Sequence, residues 1–308
     1  VKVQNSFIIR EYLRPAMLPS TWCSGCGLGI IMSAIAQAVY FKGLDKDKVT
    51  MVSGIGCTGR MSGYMDFNTI HTTHGRAPAF ATGLKMARPD MTIFTVMGDG
   101  DAMSIGGNHL VHAMRRNIGM VAIVVNNNVY GLTGGQTSPT TPIGGHTTTA
   151  QSGSFERPMN LEALARAAGA PFYARTTVNH TAALTKTIER AMDISGFALV
   201  EIISNCHVLY GKMNNMAEAS KMIAAMDEDT QRTNPTLLRR GHYPLRLTSA
   251  ETPSTPIEEI TDLEGVEEEV RMERGVIFQK TGSVDLSTRY YDMLAKVRQQ
   301  QKNGEEAS

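Results

Sequence analysis

The sequence predicts an α/β fold built on a doubly wound, mostly parallel sheet, and three observations carry that prediction. Short apolar runs of strand length alternate along the chain with longer segments whose apolar residues recur at helical spacing. Those runs are apolar at nearly every position, the pattern of parallel strands covered on both faces. Polar, glycine-rich clusters follow the runs directly, at the place where open α/β sheets bind ligands. The size is compatible. The 308 residues, 42% hydrophobic and 19% charged, with a net charge of +1, are enough for one large domain or two smaller ones.

In order, Val49 to Val52, Met91 to Met97, Met120 to Val125 and Phe197 to Ile203 read as buried parallel strands. Between and around them, Gly27 to Phe41, Ala77 to Ala87, Ile105 to Arg116, Leu161 to Ala168 and Thr181 to Met192 carry apolar residues at helical spacing. After about Met226 the character changes. GHYPLRLTSAETPSTP is rich in turn formers, and the acidic run from Glu258 to Glu273 holds few large apolar residues. The reading is therefore one domain over residues 1–226 that carries the candidate site and an extended C-terminal arm over 227–308, which either wraps a partner subunit, with Tyr290, Tyr291, Met293 and Leu294 available for docking, or is a solvated tail.

Composition excludes several classes. Aromatic residues make only 6% of the chain and no basic block neutralises phosphates, so nucleic-acid binding is not expected. The start, VKVQNSFIIREYLRP, lacks a basic segment followed by an apolar run, and Leu28 to Phe41 is broken by Ser33 and Gln37. No export signal or membrane span is expected, and the expected location is the cytoplasm. Four cysteines in a chain of this length argue for metal or redox chemistry over a disulfide scaffold.

The stretch TVMGDGDAMSIGGNHLVHAMRRNIGMVAIVVNNNVYGLTGG is the most informative. One strand runs into Gly98-Asp99-Gly100, a helix follows, and a second strand ends in Asn126-Asn127, so both polar clusters fall at carboxyl ends of neighbouring strands. Gly98 and Gly100 let the backbone approach an anion, and the turn opened by Asp101 presents amides at a helix N-terminus. Asp99 and Asn127 offer hard oxygen ligands suited to an octahedral magnesium that also takes phosphate oxygens. A lone GDG is also a strand-ending turn whose aspartate caps the next helix. Here the intervening segment is long enough for one helix and one strand in a right-handed crossover, which returns the asparagines beside the aspartate.

The cysteines are Cys23 and Cys26 in WCSGCG, Cys57 in the glycine-rich turn after the first strand, and Cys206 just past the strand ending at Ile203. The last two lie at strand ends, so all four can meet on one side of the sheet. Four thiolates suit tetrahedral zinc or a cubane 4Fe-4S cluster, and spacing alone does not separate these. A thioredoxin-like dithiol is a third use, against which Gly25 stands where a proline is usual.

The GDG, one βα unit, then NN resembles the thiamine diphosphate fingerprint. In order, WCSGCG, SGIGCTGR, HTTHGRAPAFATGLK, GDGDAMSIGGNH, NNNVYGLTGGQTSPTTP and EIISNC resemble the β subunit of 2-oxoacid:ferredoxin oxidoreductases, over roughly Tyr12 to Asn215. The resemblance implies that Asp99, the Asn127 side chain and the Val129 carbonyl hold Mg2+. It places Gly56, His74, Gly98, Gly100, Asp101, Leu132 and Thr133 around thiamine diphosphate. It also implies that Cys23, Cys26, Cys57 and Cys206 hold one 4Fe-4S cluster, because a ferredoxin-linked decarboxylation needs one-electron carriers and zinc has no redox chemistry. The implied reaction is oxidative decarboxylation of a 2-oxoacid with coenzyme A as acyl acceptor, reversible toward carbon dioxide fixation. No second cysteine-rich segment is present, so the electrons go to an external ferredoxin. The pyrimidine-activating glutamate is expected from an α subunit, in an (αβ)2 assembly.

For the substrate, Tyr130-Gly131-Leu132-Thr133 places Leu132 where pyruvate enzymes of the family tend to carry asparagine, so the chain looks more like the 2-oxoglutarate type. A dicarboxylate needs an extra cation, and Arg60 is the candidate for its distal carboxylate. His71, His74 and Arg76 form a basic group in a turn that leads into a helix, with His71 a candidate at the substrate and His74 at the cofactor. His109 and His112 are assigned no role. Pyruvate or broad 2-oxoacid specificity, a thiamine-dependent decarboxylase without electron transfer, and a noncatalytic zinc-bearing assembly subunit are the alternatives.

Overall fold

The computed structural model describes residues 7–8, 10–226, 230–232, 272–280 and 282–306. Helix α1, Leu28–Phe41, precedes strands β1, Val49–Ser53, and β2, Asn68–His71. Helix α2, Ala77–Ala87, leads to β3, Thr92–Gly98. A π-helical turn, Gly100–Ile105, and helix α3, Gly107–Arg115, connect to β4, Met120–Asn126. A small hairpin of β5, Val129–Tyr130, and β6, Gln136–Thr137, follows. Then come α4, Leu161–Ala167, β7, Phe172–Thr177, α5, Thr181–Met192, and β8, Phe197–Ile203. The chain continues through α6, Ala219–Ala225, β9, Thr230–Arg232, β10, Met272–Gln279, and α7, Leu286–Glu306.

The main sheet has the order β2-β1-β3-β4-β8-β7-β10-β9. Every pairing from β2 to β7 is parallel, and β10 adds antiparallel to β7. Strand order reverses between β1 and β3, with β2 added on one side of β1 and β3 on the other, which creates the crevice at the carboxyl ends where a ligand can enter. The sheet is sandwiched, and the pleat decides which helix each residue meets. Phe94, Val96, Ile123, Val125, Val200 and Ile202 pack with Ile31, Ile35 and Val39 of α1 and Leu184 and Ile188 of α5. Their neighbours Ile93, Met97, Ala122, Val124 and Leu199 pack on the other face with Ala81 of α2, Leu110 of α3 and Ala165 of α4. All seven residues of β4 are buried, which is why MVAIVV reads as an unbroken apolar run.

Strand β7, with the sequence FYARTT, is fully buried although it carries a charge. Arg175 Nε donates to Glu201 Oε2 at 2.7 Å, Asn126 Nδ2 donates to Glu201 Oε1 at 2.9 Å, and Tyr173 Oη donates to Glu201 Oε2. Burial alone would raise the Glu201 carboxyl, but Arg175, Tyr173 and Asn126 outweigh it and hold the group below the usual carboxylate range. A depressed carboxyl contributes stability that is present above its unfolded pKa and lost as pH falls through the folded one. Glu201→Gln is expected to destabilise the fold by about 3–5 kcal/mol, because it leaves the Arg175 charge buried without its main partner. Denaturant titration at neutral pH reads this directly. A variant as stable as the wild type would show that the ion pair is energetically idle.

Of the expected arm, residues 272–279 form β10 in the main sheet and 286–306 form α7, while 227–229 and 233–271, with most of the acidic run, lie outside the described residues. Tyr291 Oη donates to the Met86 carbonyl at 2.8 Å, and Asp285 caps α7 through the Ser287 amide at 2.9 Å. Among the described residues no helix is long and apolar enough to cross a membrane.

Candidate active site

The turns after β1, β3 and β4 and the β5–β6 hairpin enclose a cavity of about 110 Å³ at the carboxyl end of the sheet. Eleven of the residues singled out from sequence line it: Gly56, Cys57, His74, Gly98, Asp99, Gly100, Asp101, Asn127, Val129, Leu132 and Thr133. Strand pairing explains the convergence. Gly98 lies in register with Val125, so Asp99 and the Asn126-Asn127 pair leave adjacent strand ends together.

Asp99 is 2% exposed. Its Oδ1 accepts from the Gly100 amide at 2.9 Å, and its Oδ2 accepts from Ser138 Oγ at 2.8 Å and from Thr140 Oγ1. All of these donors are neutral. Burial therefore pushes the Asp99 carboxyl above the ordinary carboxylate range despite the four hydrogen bonds, the fourth from the Asn128 amide, that act the other way. A buried carboxylate that lines a cavity and has only neutral donors around it is a fitting ligand for a cation. The Asn127 Oδ1 accepts from the Val129 amide at 3.3 Å, and Asn128 adopts a positive φ of 63°, which turns the chain sharply into β5. Gly100 owes its lack of side chain to packing. A Cβ there would stand 2.1 Å from the Tyr130 ring.

The second aspartate of GDGD has a different task. Asp101 Oδ1 accepts from the Gly75 amide at 2.7 Å and from His74 Nδ1, which orients the imidazole at the cavity wall and leaves its Nε2 free. The Asp101 Oδ2 is buried with no hydrogen-bond partner and crowds Gly54, where a Cβ would fall 1.8 Å away. Burial raises the Asp101 carboxyl and His74 opposes the rise.

The four cysteines are free thiols and gather beside this cavity. Burial pushes the Cys26 thiol up to about 11, with Cys206, Cys57 and Cys23 close enough to raise it further. Cys57 and Cys206 are also raised, chiefly by burial and then by neighbouring groups that include Cys23. The backbone of Gly131 lies against two of the sulfurs, since a Cβ there would stand 3.4 Å from Cys206 Sγ and 3.7 Å from Cys57 Sγ. Among the described residues no three His, Cys, Asp or Glu side chains converge closely enough to bind a single metal ion.

Besides Cys23, Cys26 and Cys206, two sequence candidates stand outside the cavity wall. Arg60 is exposed, and its charge acts on Cys57, whose thiol it lowers. His71, at the end of β2, is exposed as well, with its Nε2 near Gly59. Sequence reasoning missed Ser138, Thr140 and Tyr130, which surround Asp99 and Gly100. The signal was the run SPTT, placed by the β5–β6 hairpin back over β3, but its distance in sequence from GDG concealed it. A somewhat larger cavity, about 140 Å³, opens at the opposite end of the strands between Lys85 and Asp285, away from every one of these residues.

Residues 48–202 match the family described as thiamine pyrophosphate enzyme, C-terminal TPP binding domain. The 2-oxoglutarate synthase subunit KorB of Archaeoglobus fulgidus is 51% identical over 196 residues, which are 64% of this chain and 73% of the relative. The 2-oxoacid:ferredoxin oxidoreductase subunit beta of Saccharolobus solfataricus is 39% identical over 210 residues, 68% of either chain. A solved structure, 2-oxoglutarate:ferredoxin oxidoreductase from Magnetococcus marinus with 2-oxoglutarate, coenzyme A and succinyl-CoA bound, matches with a TM-score of 0.76 at 30% identity, over 96% of this chain and 90% of that one.

Proposed function

The chain belongs to the thiamine pyrophosphate enzymes, among the β subunits of the 2-oxoacid:ferredoxin oxidoreductases, and we propose that it is the diphosphate-binding subunit of a 2-oxoglutarate:ferredoxin oxidoreductase. The reaction is conversion of 2-oxoglutarate and coenzyme A to succinyl-CoA and carbon dioxide with electrons passed to an external ferredoxin, reversible toward carbon dioxide fixation. An α subunit supplies the pyrimidine-activating glutamate, in an (αβ)2 assembly. The names of relatives 44–51% identical support 2-oxoglutarate over pyruvate. The observation that carries the reading is that Cys57 lines the same cavity as Asp99 and Asn127. One wall offers oxygen groups suited to a magnesium diphosphate, and the adjoining wall holds the Cys57 thiol.

When bound, thiamine diphosphate supplies the electron sink that decarboxylation of a 2-oxoacid requires, and a 4Fe-4S cluster supplies a one-electron outlet. The chain's own residues hold and orient. Asp99, the Asn127 amide oxygen and the Val129 carbonyl would hold Mg2+, and the turns at Gly56 and Gly98, where a side chain would meet no close neighbour, would leave room for the diphosphate. His74 is fixed at the cavity wall by Asp101. Leu132, 51% exposed in the cavity lining, would offer an apolar contact. Cys23, Cys26, Cys57 and Cys206 are the cluster ligands. Each thiolate of a cubane binds its own iron, so the four need not converge on one point as they do around zinc.

The test is anaerobic purification with the α subunit followed by cofactor extraction and iron, sulfide and metal analysis. Thiamine diphosphate, magnesium and one 4Fe-4S cluster per chain are expected. Thiamine diphosphate without iron would point to a decarboxylase without electron transfer, and zinc without thiamine diphosphate to an assembly subunit. Either result overturns the proposal.

Arg60 remains our proposed contact for the distal carboxylate. Arg60→Met is expected to cost 2-oxoglutarate a charge-assisted hydrogen bond of about 1.5–3 kcal/mol, or about 10- to 150-fold in kcat/KM. Pyruvate, which has no second carboxylate, should be nearly spared. Equal losses for the two acids would assign Arg60 to the thiol group instead, where its charge acts on Cys57.

A further inference from the structure

The cluster reading above leaves one buried side chain beside the thiols without a task. Asn205, next to Cys206 in sequence, is 1% exposed and uses both ends of its carboxamide on a turn 178–180 residues earlier. Its Oδ1 accepts from the Gly27 amide at 2.9 Å, and its Nδ2 donates to the Gly25 carbonyl at 3.0 Å. The second hydrogen of Nδ2 faces His207 Nδ1 at 3.2 Å. The Gly27 amide can only donate and the Gly25 carbonyl can only accept, so the orientation of the Asn205 amide is fixed by its partners. Donation to Nδ1 in turn places the His207 ring proton on Nε2.

These contacts straddle Cys26. The turn itself is closed by the Cys26 amide donating to the Cys23 carbonyl at 3.0 Å, so whatever holds residues 25 and 27 holds both thiols. The close approach also explains the glycines of WCSGCG. A Cβ at Gly27 would stand 2.4 Å from Ser204 Oγ and 3.0 Å from Asn205 Oδ1. One at Gly25, where φ is +86°, would stand 2.8 Å from the Ala219 Cβ. The other flank of the turn is tied by Trp22, whose Nε1 donates to the Cys57 carbonyl at 2.7 Å. The Cys23–Cys26 turn is thus joined to Cys57 by one side chain and to Cys206 by another.

We infer that Asn205 is a positioning residue for the four-thiol site, holding the Cys23–Cys26 turn against Cys206 at the spacing that retains a 4Fe-4S cluster. The inference rests on the proposal that these thiols carry such a cluster. Removing the amide orphans one donor and two acceptors in a buried place and frees the turn to move relative to Cys206. Residues that orient metal ligands in this way typically cost about 10- to 100-fold in metal affinity when removed.

The experiment uses the anaerobically purified complex with its α subunit. Iron release under a chelator and the cluster's midpoint potential are measured for wild type, Asn205→Ala, Asn205→Asp and Ser204→Ala. Asn205→Ala is expected to release iron at least about tenfold faster while keeping wild-type thiamine diphosphate affinity, with an unfolding temperature lowered by the orphaned Gly27 amide and Gly25 carbonyl. Asn205→Asp retains the acceptor for Gly27 and loses both donors, so it should also release iron faster, with a more negative potential from the added charge. Ser204→Ala removes a buried hydroxyl that has no hydrogen-bond partner and should match the wild type in both readouts. If wild type holds no cluster, the reading beneath the inference fails. If wild type holds one and Asn205→Asp releases iron at the wild-type rate, the positioning role is overturned, whether or not Asn205→Ala folds.

Discussion

Replacing Asp99 by alanine is expected to weaken magnesium thiamine diphosphate binding by at least about 100-fold, the upper end of what even indirect metal partners are worth, while the fold and the thiol site persist. Asp99 is the single charged ligand among the proposed three, and a divalent ion bridging to a diphosphate gains most from that charge. The carboxylate is also costly where it sits, buried among neutral donors, with its pKa raised chiefly by burial. A carboxyl raised in the folded state contributes stability that is fully present below its unfolded pKa and is lost as pH rises through the folded value. Ionisation of the group therefore works against the cofactor-free fold as pH rises. Asp99→Asn keeps the shape and cannot ionise, so without cofactor it should be more stable than the wild type at neutral pH. That advantage should shrink as pH falls toward the ordinary carboxylate range, and magnesium thiamine diphosphate should stabilise the wild type far more than the variant. Calorimetry on Asp99→Ala and thermal unfolding of Asp99→Asn against pH check the two halves separately. Near-wild-type cofactor affinity in Asp99→Ala would remove it from the site.

How much of this was legible in the sequence depended on whether a signal was local. The four strands read as apolar runs are β1, β3, β4 and β8, which occupy the middle of the sheet and are covered on both faces. Strand β7 escaped because Arg175 and two threonines break the apolar pattern, and the partners that make an arginine tolerable there, chiefly Glu201, 26 residues on in β8, with Glu162 on α4, lie outside the strand. Strand β2 is four residues at the sheet edge with largely accessible side chains, so it has no periodicity to read. The same contrast holds in the site. That Asp99 and Asn127 line one cavity was legible because each follows its own strand closely and register brings the strand ends together. Ser138 and Thr140 reach Asp99 only through the β5–β6 hairpin, 39 and 41 residues away, and no local pattern marks a hydroxyl as an aspartate's partner. Gly100 was read as room for an anion, yet Tyr130 is what a side chain there would strike, and that is a statement about tertiary packing.

Cys206→Ser is expected to abolish ferredoxin reduction and to lower bound iron, with thiamine diphosphate binding preserved. The sulfur at 206 sits where two backbone amides, those of Leu209 and Tyr210, donate to it at the start of the π-helical turn His207–Gly211, and these donors favour the thiolate against the burial that disfavours it. Cys26 has one such donor, the Leu28 amide, and its thiol stands at about 11. In the cluster-free chain these thiols are therefore protonated at neutral pH, and a metal that takes them must displace protons. Cluster assembly should consequently be favoured by raising pH, and serine should fail as a replacement, because its hydroxyl gives up a proton far less readily than a thiol and is a harder, poorer ligand for an iron-sulfur cluster. The loss should also be specific, since Cys206 lies outside the wall of the cavity that Asp99 and Asn127 line. Iron and sulfide analysis, thiamine diphosphate titration and ferredoxin reduction on one preparation of the complex distinguish the cases. Full iron content with unchanged electron transfer in Cys206→Ser would exclude it as a ligand, and loss of thiamine diphosphate together with iron would show that the two walls of the site do not fold independently.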